Sequence, residues 1–234
     1  MRWIEINKEG VVGIMTMNYE GQNRFSMEFC RDLLEAMDVV EKDTSIKSLV
    51  VTGGEEKYWS TGLHLDYLSK VEPKEANEFI RMFNNVLLKR WSLFPRPTVA
   101  AINGHVFAAG AIMACHMDYR FMREDRGWAC FPEVDINIPF LPGMLAIIRE
   151  VLTPQAMRDM LLTGKRYTGP EAKKIGFIDE VYSKDDLIKK SIEWAQFLAT
   201  KNIAAYAEIK RRMRSRVIKI IDEEDPKFFS TPNK

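Results

Sequence analysis

The chain has 234 residues, 46% hydrophobic and 29% charged, with a formal net charge of +1 at pH 7. That length suffices for one large core or two unequal units, and so small a charge offers no global field for nucleic acid or an anionic membrane. No apolar run is long enough to span a membrane, no signal peptide precedes the first strand pattern, and Pro232-Asn233-Lys234 is not the peroxisomal tripeptide, so a cytoplasmic protein with no nucleic-acid or membrane partner is expected.

Trp3 to Ile6 and Val11 to Met17 alternate as strands around a turn at Lys8-Glu9-Gly10. Ser26 has the position of an N-cap for a helix over Met27 to Val40, whose apolar residues recur at helical spacing. Ile46 to Thr52 reads as a strand ended by Gly53-Gly54, Glu75 to Leu93 as one long amphipathic helix, and Thr98 to Ile102 and Asp118 to Met122 as further strands. From Pro142 onward helices dominate, over Met144 to Leu152, Pro154 to Leu162, Pro170 to Ile175, Leu187 to Thr200 and Ile203 to Ile221. Thr153-Pro154 and Thr168-Gly169-Pro170 are helix starts with a capping residue before an early Pro. The pattern is α/β, with ββα units and parallel crossovers. A soft division near residue 190 separates a core, residues 1–190, from a helical segment, residues 191–234, whose tail from Asp225 is expected to fray.

Cys30, Cys115 and Cys130 are the three cysteines; they make no CxxC pair and no zinc pattern, so buried free thiols in a reducing compartment and no metal site are expected. The basic run Lys210 to Arg216 reads either as a solvated helix face or as an anion site.

Two stretches interrupt apolar runs with small residues: Ser60-Thr61-Gly62 and Ala108-Ala109-Gly110-Ala111. Neither has the spacing of a dinucleotide or phosphate loop. Either alone is compatible with close packing. Together they suit a site where two backbone N–H groups converge on one oxygen, since a helix N-terminus offers unpaired donors and small residues admit a ligand. In "FPEVDI", Glu133 and Asp135 sit in an otherwise apolar segment. An extended chain would point both the same way. Glu133 then reads either as a rim residue in a salt bridge or as a general base whose pKa is raised by desolvation.

These segments, from Trp3 to about Arg214, resemble the crotonase superfamily, the enoyl-CoA hydratase/isomerase family. "WSTGLHL" is similar to its first oxyanion-hole motif, "AAINGHVFAAGAIMACHMDYRFM" to its second, "FPEVDI" to the segment bearing a catalytic Glu, and "LTGKRYTGPEAKKIGFIDEVY" to the stretch that follows. The resemblance implies a spiral of ββα units with a C-terminal helical region, and a homotrimer or dimer of trimers with C-terminal helices packed across subunits. It implies acyl-CoA thioesters as substrates, coenzyme A being part of the substrate and no cofactor being tightly bound. By position, the Leu63 and Ala109 N–H groups would bind the thioester oxygen, Gly62 and Gly110 would keep the turns open beside Ser60, and Glu133 would be the catalytic carboxylate. Arg24, Phe25 and Lys210 match regions that contact coenzyme A.

The chain departs from the family where hydratases carry a second glutamate: that position is Ile112. Water addition needs two carboxylates, whereas moving a double bond needs one base, and an apolar neighbour raises its pKa. The expected reaction is therefore that of Δ3-Δ2-enoyl-CoA isomerases, the plant peroxisomal type being especially similar. The alternatives are another crotonase reaction (thioester hydrolysis or a lyase step) and acyl-CoA binding without turnover. His64, where the first motif usually has Asp, reads as a surface residue or a mechanistic one, and His105 and His116 as structural. Phe79, Met82, Phe83 and Phe140 to Met144 read either as walls of the acyl pocket or as core.

Overall fold

The computed structural model describes residues 1–229; Pro232-Asn233-Lys234 lie outside the described residues. Its strands are β1 (Ile4–Glu9), β2 (Val12–Met17), β3 (Ser48–Gly53), β4 (Tyr58–Ser60), β5 (Thr98–Ile102), β6 (His105–Phe107), β7 (Tyr119–Arg123), β8 (Ala129–Cys130) and β9 (Glu180–Tyr182). One six-stranded sheet runs β1-β2-β3-β5-β7-β9, and a three-stranded sheet runs β4-β6-β8. Among the strands of the described residues, β1 and β2 pair antiparallel and the other pairs are parallel. Every residue of β3 and β5 is buried, as expected of parallel strands covered on both faces.

The ββα unit recurs three times: β3-β4, β5-β6 and β7-β8 each send one strand to the large sheet and the next to the small sheet before helix follows. The strands of the small sheet span two or three residues, too few to show a period in sequence. This is the crotonase-type spiral, with helices α1 (Met27–Lys42), α2 (Leu65–Leu68), α3 (Pro73–Arg81), α4 (Lys89–Leu93) and α5 (Ala109–His116) winding through it. Ser26 caps α1 by accepting from the Phe29 N–H. The first turn is tighter than the sequence pattern places it: Lys8 and Glu9 belong to β1 and the turn is Gly10-Val11, with Gly10 in the left-handed conformation (φ 59°).

The helices after Pro142 are α6 (Pro142–Val151), α7 (Pro154–Thr163), α8 (Gly169–Lys174), α9 (Lys184–Ala199), α10 (Ile203–Met213), α11 (Ser215–Glu223) and α12 (Pro226–Phe229). Thr153 caps α7, and Thr168 with Glu171 forms a capping box on α8.

Several expectations need correction. The long helix over Glu75 to Leu93 is not one α-helix: a π-helical stretch, Met82–Leu88, joins α3 to α4. It turns Asn84 and Asn85 inward, where their amides donate to Asp225 and to the Ile221 carbonyl (2.7 Å). The run over Ile203 to Ile221 breaks at Arg214, which ends α10, begins α11 and pairs with Glu150. Residue 190 falls inside α9, whose Leu187, Ile192, Ala195 and Leu198 pack on Val50, Val99 and Phe121 of the large sheet. The chain from Asp225 does not fray within the described residues: Asp225 is fully buried and accepts from the Gly143 N–H at 2.8 Å. Cys30, Cys115 and Cys130 are free and buried.

Candidate active site

The two small-residue turns meet. Gly62 follows β4 with φ at 95°, and a Cβ placed on it would lie 2.8 Å from the Ala108 Cβ and 3.1 Å from the Ala109 nitrogen. A Cβ on Gly110 would come within 2.8 Å of Ser60. Glycine is required at Gly62 by conformation as well as contact. Ala108 carries the cost on the opposite side, at φ 49°, ψ −127°, a region nearly reserved for glycine.

The first turn is held from below. The Phe25 N–H donates to the Gly62 carbonyl and the His64 N–H to the Phe25 carbonyl, both at 2.8 Å. The Ser60 hydroxyl donates to the Asn23 carbonyl at 2.7 Å, and the Asn23 amide donates to the Trp59 carbonyl at 3.0 Å. Among the described residues nothing pairs with the Leu63 N–H between these bonds, nor with the N–H of Ala109, the first residue of its helix. Both residues line one cavity of about 360 Å³. Two free donors there, one at the positive end of α5, can receive an oxygen that gains negative charge.

Glu133 lines the same cavity, together with Ile112 in the first turn of α5. Among the described residues that line it, Glu133 is the only one with a titratable side chain. Glu133 is 5% exposed, and its Oε2 has no hydrogen-bond partner among the described residues. Desolvation therefore pushes its pKa up to about 7. The segment is not extended: the Asp135 and Ile136 N–H groups bond the Pro132 carbonyl, and the Ile138 N–H bonds the Glu133 carbonyl. This turn, opened by Pro132, sends Glu133 inward and leaves Asp135 exposed beside Gly164, so the expected shared direction of the two carboxylates is corrected.

Other expected site residues lie elsewhere. Phe25 is fully buried, stacked on Phe29, and its backbone rather than its ring bears on the site. Arg24 reaches Asp66 (3.2 Å) and Glu20 (3.4 Å). Ser60 is fully buried, bonded as above. Lys210 is corrected: its ammonium is buried against Asp118 (2.8 Å) and the Arg96 carbonyl (3.2 Å) and is not offered to a phosphate. Burial pulls its pKa down while the Asp118 charge opposes this. Of the basic run, Arg211 and Arg212 are exposed and pair with Glu208, the solvated reading.

His64 caps α2 through Nδ1, which accepts from the Tyr67 N–H at 3.1 Å. His105 packs at a tilt against the rings of Tyr58 and Trp128. His116 is buried with Nδ1 2.6 Å from the Ser92 hydroxyl, and burial holds it neutral by lowering its pKa. Phe79 and Phe83 are wholly buried in the core, whereas Ile80 beside them lines the cavity with Phe140, Leu141 and Met144. Ile80 and Asn23 are the residues that pattern reading missed; the positive φ of Asn23 (49°) has a faint signal in sequence, since Asn tolerates that conformation. Among the described residues no group of three His, Cys, Asp or Glu side chains is arranged to hold a metal ion, and no helix is long and apolar enough to cross a membrane.

The sequence matches known proteins along nearly its whole length. It is 29% identical over 237 residues to enoyl-CoA delta isomerase 2, peroxisomal, of Arabidopsis thaliana, covering 97% of this chain and 98% of that one. It is also 29% identical over 225 residues to enoyl-CoA delta isomerase 3 of the same plant, covering 93% and 94%. The fold superposes on a crystal structure of an enoyl-CoA hydratase from Mycobacterium ulcerans with a TM-score of 0.86, at 26% identity and 94% coverage of both chains. The profile of the enoyl-CoA hydratase/isomerase family matches residues 7–224, and the chain belongs to that family.

Proposed function

We propose that the protein is a Δ3-Δ2-enoyl-CoA isomerase in which Glu133 is the single acid–base group. The observation that carries this reading is the cavity wall, with one carboxylate, two unpaired N–H groups and Ile112 where a second carboxylate would be needed to deliver water. Substrate binds with its thioester oxygen on the Leu63 and Ala109 N–H groups. Ionised Glu133 takes the proton from C2 of the 3-enoyl chain. Charge moves to the thioester oxygen, where the two donors stabilise the dienolate. Protonated Glu133 then returns the proton at C4, and the double bond ends in conjugation with the thioester. Apolar walls keep out water that would protonate the intermediate or add to the product.

The same reading extends to assembly as a homotrimer or a dimer of trimers through the C-terminal helices, which sedimentation at micromolar concentration tests. The three buried thiols suit a reducing compartment such as the cytoplasm.

The test of the reaction is purified protein with a 3-enoyl-CoA, following the absorbance of the conjugated thioester and, in parallel, free thiol. Conjugation without thiol release is expected, and Glu133→Gln should abolish it while retaining thioester binding. Thiol release would replace this reading with a hydrolase, and binding without product would replace it with a carrier.

A further inference from the structure

Beyond the turn Glu133 to Phe140 lies a second, larger cavity of about 910 Å³. Glu133, Ile138, Pro139 and Phe140 border both cavities, so the two spaces adjoin along this turn. The far wall belongs to α6 and α7 and is apolar, with Leu145, Met157 and Leu161 facing the space. Two cations interrupt it, Arg149 on α6 and Arg158 on α7. Both are exposed, and neither makes a hydrogen bond or ion pair with any described residue. In this they differ from Arg90, Arg120, Arg123 and Arg214, each of which holds a carboxylate.

An apolar chamber adjoining the catalytic carboxylate suits the hydrocarbon part of an acyl chain. It suits coenzyme A poorly, because that half of the thioester is polar and polyanionic. A plain alkyl chain would use the leucines and the methionine and leave both guanidinium groups idle. A chain ending in a carboxylate would use the whole wall, since guanidinium groups bind carboxylates with charge-assisted hydrogen bonds.

We propose that this second cavity holds the distal end of the acyl chain and that Arg149 and Arg158 bind an acidic group there, making the substrate class an enoyl thioester with a terminal carboxylate. The proposal rests on the acyl-CoA reading of the site. It adds no chemical step: C2 and C4 remain at Glu133, and the far carboxylate only fixes where the chain lies.

The test is calorimetric titration of the full chain at low salt with two saturated, unreactive ligands of equal length, dodecanoyl-CoA and the mono-CoA thioester of dodecanedioic acid. The diacid thioester should bind about tenfold more tightly. In the double variant Arg149→Ala, Arg158→Ala the two ligands should bind alike. Both positions are exposed and without partners, so this variant is expected to fold. Equal affinities in the unaltered protein would overturn the proposal, which is also the outcome if a second copy of the chain covers this wall. Retention of the tenfold preference by the double variant would overturn it as well. Because these ligands cannot isomerise, the result is independent of turnover: absence of 3-enoyl conjugation would sink the proposed reaction and leave the cavity assignment standing.

Discussion

Glu133 owes its basicity to what surrounds it rather than to a partner. Burial raises its pKa to about 7 and its Oε2 has no partner among the described residues, so the carboxylate is more basic than a solvated glutamate and about half ionised near neutrality, as the proposed role as base requires. kcat/KM should therefore rise about tenfold per pH unit up to about 7 and level off above it, and Glu133→Gln should lower kcat by roughly 10⁴-fold. A stability effect of opposite sense follows from the same group. Its folded pKa, about 7, lies above the ordinary 4.5, so the native state holds the proton more tightly than the unfolded chain. That contribution is complete below about 4.5 and is lost as pH rises through about 7. Glu133→Gln, which cannot ionise, should accordingly be more stable than the parent at pH 8, by on the order of 3 kcal/mol, and no more stable at pH 4. Urea midpoints at the two pH values measure this. A midpoint difference independent of pH would contradict the raised pKa. In sequence, Glu133 was legible as a carboxylate among apolar residues. Its direction was not, because the turn opened by Pro132 rather than a strand sets it.

At the scale of elements, the site is two turns wedged together, each needing the other's backbone to come close. The turns were visible as small-residue runs, since Gly62 and Ala108 to Gly110 interrupt apolar segments. The strain was not visible, because alanine at residue 108 gives no hint that its φ is 49°. Ala108→Gly removes that strain but adds freedom to the unfolded chain, and it should stabilise the protein by about 1 kcal/mol in a denaturant titration. Gly62→Ala should act the other way. Its φ of 95° and its 2.8 Å approach to the Ala108 Cβ leave no room for a methyl group, so the turns must part. With one N–H displaced from the thioester oxygen, kcat should fall by about 10²-fold or more. Unchanged kcat in a folded Gly62→Ala protein would mean that the two donors do not act together. The π-helical stretch, Met82–Leu88, had no signature in its apolar spacing. Asn84 and Asn85 mark it only through partners more than a hundred residues away, Asp225 and Ile221.

For the whole molecule, the C-terminal helices close the spiral's own core. Val217 and Ile221 of α11 pack in the main hydrophobic cluster, Asp225 holds the start of α6, and Lys210 of α10 is buried against Asp118. Such long-range ties are invisible to a reading that moves along the chain, which is why the resemblance alone assigned Lys210 to coenzyme A. Lys210→Met should destabilise the fold by about 3 kcal/mol, because it leaves the partly buried Asp118 without its cation, and should leave KM for a short 3-enoyl-CoA unchanged. A raised KM with undiminished stability would instead return Lys210 to the substrate. The ββα order and the parallel sheet were legible because strands and helices alternate with distinct periods. The small sheet was not, its strands being two or three residues long.

The central claim is that one carboxylate opposite two backbone donors moves a double bond and does not add water. Its most direct measurement is product analysis of a 3-enoyl-CoA incubated with the protein, resolving the 2-enoyl, 3-hydroxyacyl and free CoA products. Accumulation of the 2-enoyl thioester alone, lost in Glu133→Gln, is the result predicted. A 3-hydroxyacyl product formed at a comparable rate, or conjugation that survives in Glu133→Gln, would contradict it.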